Sequence, residues 1–144
     1  MAAYLGVNAT LVAAGGLSTL TSGLVDGRVK CMLDYYTILG TETAGATITL
    51  GGLIPKNANV IAIMLKVTAN QTSVTVDIGD DEDTDRYAND STSLQTAGTY
   101  VWSANNYICD ETTASTTDRQ IVITTAAATM SAGVLYAAIF YSID

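Results

Sequence analysis

Val60-Ile61-Ala62-Ile63-Met64-Leu65-Lys66-Val67-Thr68 and Ser73-Val74-Thr75-Val76-Asp77-Ile78 decide the fold of this chain. In the first stretch Ile61, Ile63, Leu65 and Val67 fall on one side of an extended backbone, and Val60, Ala62, Met64 and Lys66 on the other. In the second, Val74, Val76 and Ile78 alternate against Ser73, Thr75 and Asp77. Period two with one strongly apolar side marks a half-buried strand. Ala69-Asn70-Gln71-Thr72 between them reads as the turn of a β-hairpin.

Similar patterns recur on both sides of this pair. Val29–Leu39 is rich in β-branched and aromatic residues, and Ala46–Leu50 alternates Thr with apolar residues. Gly51-Gly52 and Pro55-Lys56-Asn57 punctuate the connection that follows. Thr99–Ser103 and Asn106–Cys109 are weaker strands around Ala104-Asn105, and Gln120–Thr125 alternates clearly. Val134–Ser142 is apolar on both faces, as expected of a strand central in a sheet or at a subunit contact. Helix candidates are short: part of the N-terminal segment, and Asp83–Asp90. About eight short strands with Gly- and Asn-rich turns predict an all-β fold. The expected architecture is a single β-sandwich or jelly-roll-like domain over residues 29–144, preceded by an extended N-terminal arm over 1–28.

Composition narrows the function. The chain has 144 residues, enough to bury a core without disulfide staples, and a formal net charge of -8 with six Lys+Arg. Phosphate recognition needs clustered cations, so neither nucleic acid nor an anionic membrane surface is an expected partner. No uncharged apolar run reaches the roughly 18–20 residues of a membrane helix. Histidine is absent. That excludes His-based zinc sites, Ser–His and Cys–His nucleophile pairs, and imidazole acid–base chemistry. Cys31 and Cys109 are far apart in sequence and fit either two buried thiols or a disulfide.

Residues 1–25 contain no charged side chain, so the basic start of a secretory signal is missing. Disordered tails usually carry charge and avoid Leu and Val. This segment instead holds Leu5, Val7, Leu11, Val12, Leu17, Leu20, Leu24 and Val25. It reads as an arm that needs apolar company, which a partner subunit could supply.

Asp77, Asp80, Asp81, Glu82, Asp83, Asp85 and Asp90 are half of the fourteen Asp+Glu residues. Asp81, Asp83 and Asp85 fit the opening of an EF-hand loop, but Arg86 stands where Gly is required and Thr92 where the bidentate Glu belongs. Two readings remain: a looser cation site built from Asp77, Asp80, Asp81 and Asp83, or a solvated, self-repelling tip with Arg86 offsetting part of the charge. A glycosidase needs two carboxylates across a cleft with a sugar platform. Nothing aromatic clusters near these acids as one except Tyr87, and Trp102 lies a strand away. Ser and Thr nucleophiles lack a base, and no phosphate-binding glycine loop occurs. The chain is therefore read as non-enzymatic, with no cofactor. Eight tyrosines against one Phe suit either cross-strand packing or an interface belt.

Three stretches carry a resemblance. They are Gly51-Gly52-Leu53-Ile54-Pro55-Lys56-Asn57-Ala58-Asn59-Val60, then Val74-Thr75-Val76-Asp77-Ile78-Gly79-Asp80 leading to Asp85-Arg86-Tyr87, and the closing Ser131-Ala132-Gly133-Val134 strand ending in Tyr141. Together they resemble the small β-sandwich structural proteins of tailed bacteriophage particles, notably head decoration (cement) proteins. Related β-folds serve as head fibres and tail components. The resemblance spans about Val29–Asp144 and leaves the arm outside. It implies a virion protein made in the host cytoplasm that binds the capsid exterior, often as a homotrimer, and bridges subunits of the major capsid protein. The implied contacts are the arm residues Leu5, Val7, Leu11, Val12, Leu17 and Leu20, with Tyr136 and Phe140 of the last strand at a subunit contact. The alternative is a head-fibre or tail-associated module that binds a host glycan.

Overall fold

The computed structural model describes residues 28–103 and 117–143. The arm, the expected strand Asn106–Cys109 and Tyr107 lie outside the described residues, and so does the pairing of Cys109. Eight strands are present: β1 (Arg28–Ile38), β2 (Thr47–Ile54), β3 (Ala58–Val67), β4 (Thr75–Asp80), β5 (Ala88–Ser91), β6 (Gly98–Ser103), β7 (Arg119–Ala126) and β8 (Gly133–Ile143). Ser93–Gln95 forms a single 3-10 turn, and no α-helix occurs among the described residues.

The strands pair as a nested set. β1 pairs with β8, β2 with β7, β3 with β6 and β4 with β5, all antiparallel. The chain thus folds as one long hairpin with β4 and β5 near its tip. Further pairing of β3 with β8 and β4 with β7 rolls it into two four-stranded sheets, β1-β8-β3-β6 and β2-β7-β4-β5. This order is that of a jelly roll. Ile38, Ile63, Leu65, Leu135 and Ile139 from the first sheet and Leu50, Ile78, Ile121 and Ile123 from the second fill the space between, all fully buried. Each such side chain contributes about 1.5–3 kcal/mol relative to exposure.

Three expectations need correction. First, β3 and β4 do not form a hairpin: they lie in different sheets, and residues 69–72 carry the chain across the sandwich edge. Second, Ile61 does not share the inner face with Ile63. A register shift between Val60 and Ala62 changes the phase, so Ala58 and Val60 enter the core and Ile61 is half-buried. Third, Asp83–Asp90 is not helical. It turns back and feeds β5 along β4. β2 also continues through the two glycines to Ile54 with a bulge, where Gly51 takes a φ of 74° and donates its N–H to buried Asp34 at 2.7 Å.

The crossing at 69–72 is fastened by Gln71, whose side chain is fully buried. Its amide donates to the carbonyls of Ala69 (3.0 Å) and Ser131 (3.1 Å), and its oxygen accepts from the Ser131 N–H (2.7 Å). One side chain therefore ties the β3–β4 crossing to the β7–β8 connection. Gln71→Ala is expected to lower stability by about 1–3 kcal/mol, the cost of stranding these backbone groups. Urea unfolding of the variant against the parent measures it.

Candidate functional site

The acidic loop is an ordered corner built around one buried carboxylate. β4 continues its alternation beyond Ile78, so Asp80 points inward with Val76 and Ile78 and is fully buried. β7 begins likewise with Arg119 in phase with Ile121 and Ile123. The two meet: Arg119 Nη1 lies 3.2 Å from Asp80 Oδ2, and its Nη2 donates to the Ala58 carbonyl at 2.8 Å. Arg86 Nε is 3.0 Å from the same oxygen, and the Tyr87 hydroxyl donates to it at 3.1 Å. Asp80 Oδ1 accepts from the backbone N–H groups of Glu82 and Asp83, both at 3.1 Å. Burial pushes the Tyr87 phenol well above its ordinary value, and the adjacent Asp80 carboxylate adds to the rise.

This corrects the picture of a solvated, self-repelling tip at Asp80. The outer acids Asp81, Glu82, Asp85 and Asp90 are exposed, and Asp77 accepts the Asp90 N–H at 2.7 Å. Among the described residues no three of His, Cys, Asp or Glu converge as a cation cage. Asp80 faces two guanidinium groups, and their charge repels a cation at that carboxylate.

Glu42 is a second organised carboxylate, which the sequence did not single out. It accepts from the Tyr36 hydroxyl (2.6 Å) and from the N–H groups of Leu39, Gly40 and Thr41 (each 2.9 Å), closing the β1–β2 connection. Burial raises its pKa, but these hydrogen bonds outweigh burial and hold it down at about 2, from an ordinary 4.5. A carboxyl whose folded pKa is depressed stabilises above its unfolded pKa and loses that contribution as pH falls through the folded one. Stability is therefore expected to drop between pH 4.5 and about 2. Glu42→Gln should be less stable at neutral pH and flatter across that window, measured by denaturant titration at stepped pH.

The outer faces of the two sheets differ in character. On β2-β7-β4-β5 the outward side chains include Thr47, Thr49, Thr75, Gln120 and Thr124. On β1-β8-β3-β6 they are mostly apolar, and register sets them in rows. Leu33, Ala138, Met64 and Val101 form one row, Cys31, Phe140 and Ala62 the next, and Tyr35, Tyr136, Lys66 and Thr99 a third. Leu33 and Tyr35 are each 44% exposed, Tyr136 45% and Val101 59%. The Tyr35 and Tyr136 rings lie 6.1 Å apart, and Lys66 Nζ sits 6.0 Å from the Tyr136 centroid. A shallow groove runs between Leu33, Met64, Lys66 and Tyr136.

Of the residues expected at contacts, Tyr136 and Phe140 therefore share this outer face, whereas Leu5, Val7, Leu11, Val12, Leu17 and Leu20 lie outside the described residues. Tyr87 and Trp102 do not make a sugar platform, since both pack inward against the core. Trp102 lies 6.3 Å from Tyr100, which shares its side of β6.

No protein-family model and no curated protein matches the chain. Three solved structures do. A chain of the cyanophage Pam1 capsid asymmetric unit is similar at 22% identity and a TM-score of 0.64, over 86% of this chain and 91% of that one. A chain of the Ralstonia phage GP4 capsid is similar at 20% identity and a TM-score of 0.66, with the same coverage. A chain of the acidic stable capsid structure of Helicobacter pylori bacteriophage KHP30 is similar at 12% identity and a TM-score of 0.52, over 83% and 90% of the two chains. At such identities the likeness is one of fold.

Proposed function

We propose that this chain is a non-enzymatic virion structural protein that binds the outer surface of an assembled capsid and stabilises it. In this reading it acts as a homotrimer bridging subunits of the major capsid protein. One observation carries the proposal: the jelly roll matches chains from three phage capsids across nearly the full length of both partners. Each of those chains is thus about this size, a jelly roll by itself rather than a domain of a much longer shell subunit. The apolar outer face supports the reading, since contiguous exposed apolar surface marks an interaction site.

Binding only to the assembled lattice stabilises that lattice by mass action, and many linked copies multiply a modest contact. Tyr136 and Phe140 would serve the subunit contact, and the arm residues Leu5, Val7, Leu11, Val12, Leu17 and Leu20 the shell. The exposed Asp81, Glu82 and Asp85 would limit wrong association through like charge. The glycan-binding alternative draws no support from Tyr87 and Trp102, which face the core.

Copy number on the purified particle tests the proposal. Quantitative mass spectrometry is expected to find this chain near stoichiometric with the major shell protein. A few copies per particle would overturn decoration in favour of a vertex, tail or fibre component. A chain lacking residues 1–25 is expected to bind stripped particles far more weakly than the full chain. Undiminished binding would remove the arm from the mechanism.

A further inference from the structure

The apolar outer face of β1-β8-β3-β6 is a wet surface in the described residues, yet a soluble chain that exposes such a face invites self-association. Lys66 is the one charged side chain among its described outward rows. The same chain holds a matching segment. Residues 1–25 carry no charge and bring Leu or Val at intervals throughout. That segment joins the fold at Arg28, the first residue of β1, and β1 is the edge strand of this very sheet. Twenty-seven residues precede Arg28, and at ~3.3–3.6 Å per residue they can span up to ~90 Å. Crossing four strands at ~4.8 Å spacing needs ~15 Å. Reach is ample, and both surfaces are apolar and nearly uncharged, so neither side must desolvate ions on contact.

We propose that in the free protein the outer face of β1-β8-β3-β6 is the docking surface for the chain's own N-terminal segment, residues 1–25. The occupant shields Leu33, Met64, Val101 and Phe140 from water until a stronger apolar partner displaces it. This deepens the capsid reading by giving the arm a resting place, but it concerns the free chain and stands or falls without any particle.

Cys31 offers a probe, because it lies half-buried in the outer row with Phe140. In the full chain carrying Cys109→Ser, maleimide alkylation of Cys31 is followed with and without Leu17→Asp and Leu20→Asp. Charging the segment is expected to speed alkylation about tenfold, equivalent to ~1.4 kcal/mol of docking. Equal rates would overturn the proposal. Slow alkylation that speeds up on dilution of the chain with its segment unsubstituted would also overturn it, because a second copy would then be the cover. A substitution on the opposite side gives an independent reading. Val101→Asp, on the exposed side of β6, should make residues 1–25 cut faster by thermolysin. Unchanged cutting with an unchanged melting temperature would count against docking.

Discussion

Asp80→Ala is expected to destabilise the protein by about 3–5 kcal/mol, the range for removing one member of a buried charge network. The magnitude follows from what is left behind. The Asp80 side chain is fully buried, and those of Arg119 and Arg86 are 3% and 13% exposed. Without the carboxylate two guanidinium groups face each other in the wall of the core. The Tyr87 hydroxyl and the N–H groups of Glu82 and Asp83 lose their acceptor as well. Arg86→Ala should cost less, since Asp80 keeps Arg119 and its backbone donors. Burial keeps the network largely unscreened, so the difference should persist in high salt. Urea unfolding at neutral pH, with and without salt, measures both variants. A loss below about 1 kcal/mol would mean that the corner opens and both arginines reach water, where such pairs contribute little.

The network was partly legible in the sequence. Extending the alternation of Val74, Val76 and Ile78 by two residues puts Asp80 on the inner face, and reading Ile123 and Ile121 backwards puts Arg119 there too. Two opposite charges in phase with two apolar faces announce a buried pair. Composition obscured this, because seven clustered acids read as a single solvated run. Arg86 was noted as a charge offset, and it pairs with exposed Glu82 at 3.5 Å as well as with buried Asp80 at 3.0 Å.

Strand existence was legible for a local reason, and pairing was not, because it is non-local. Period two is visible within a few residues, so β1, β3, β4, β7 and β8 were found near their true limits. Which strands pair depends on contacts far apart in the chain, such as Arg28 with Ile143. A short polar link between two apolar strands looks the same whether it closes a hairpin or crosses between sheets, and residues 69–72 do the second. β5, with sequence Ala-Asn-Asp-Ser, has no apolar alternation, and among the described strands it pairs with β4 alone. Glu42 left no local sign, since its partners Leu39, Gly40 and Thr41 use backbone N–H groups that any residue supplies. The outer face was half legible: β8 reads apolar on both sides and β3 carries Ala62 and Met64 outward. Only the register, setting Leu33, Ala138, Met64 and Val101 in one row, makes these a surface.

Gly79→Ala is expected to be as damaging as the loss of Asp80, at about 4 kcal/mol or more, the upper end of single substitutions. The reason is close approach rather than backbone conformation. A Cβ on Gly79 would fall inside the backbone of Asp83 and Thr84, where nothing flexible can give way. The loop comes this close because the Asp80 N–H donates to the Asp83 carbonyl at 2.8 Å while Asp80 Oδ1 accepts the Asp83 N–H. One residue, Asp80, thus closes the turn with its backbone and pairs with two arginines through its side chain. Gly79 gives the turn the space to close. The two sites therefore act on one structural unit, and their effects should not add. If Gly79→Ala lifts the 81–84 loop away, the donors of Glu82 and Asp83 leave Asp80 at the same step. The double variant should then lose at least about 1 kcal/mol less than the sum of the single losses, a coupling typical of contacting residues. Hydrogen exchange at the Asp83 N–H separates the causes: it should accelerate in Gly79→Ala even well below the unfolding transition. Full additivity, with that N–H still protected, would show that Gly79 and Asp80 stabilise the corner independently.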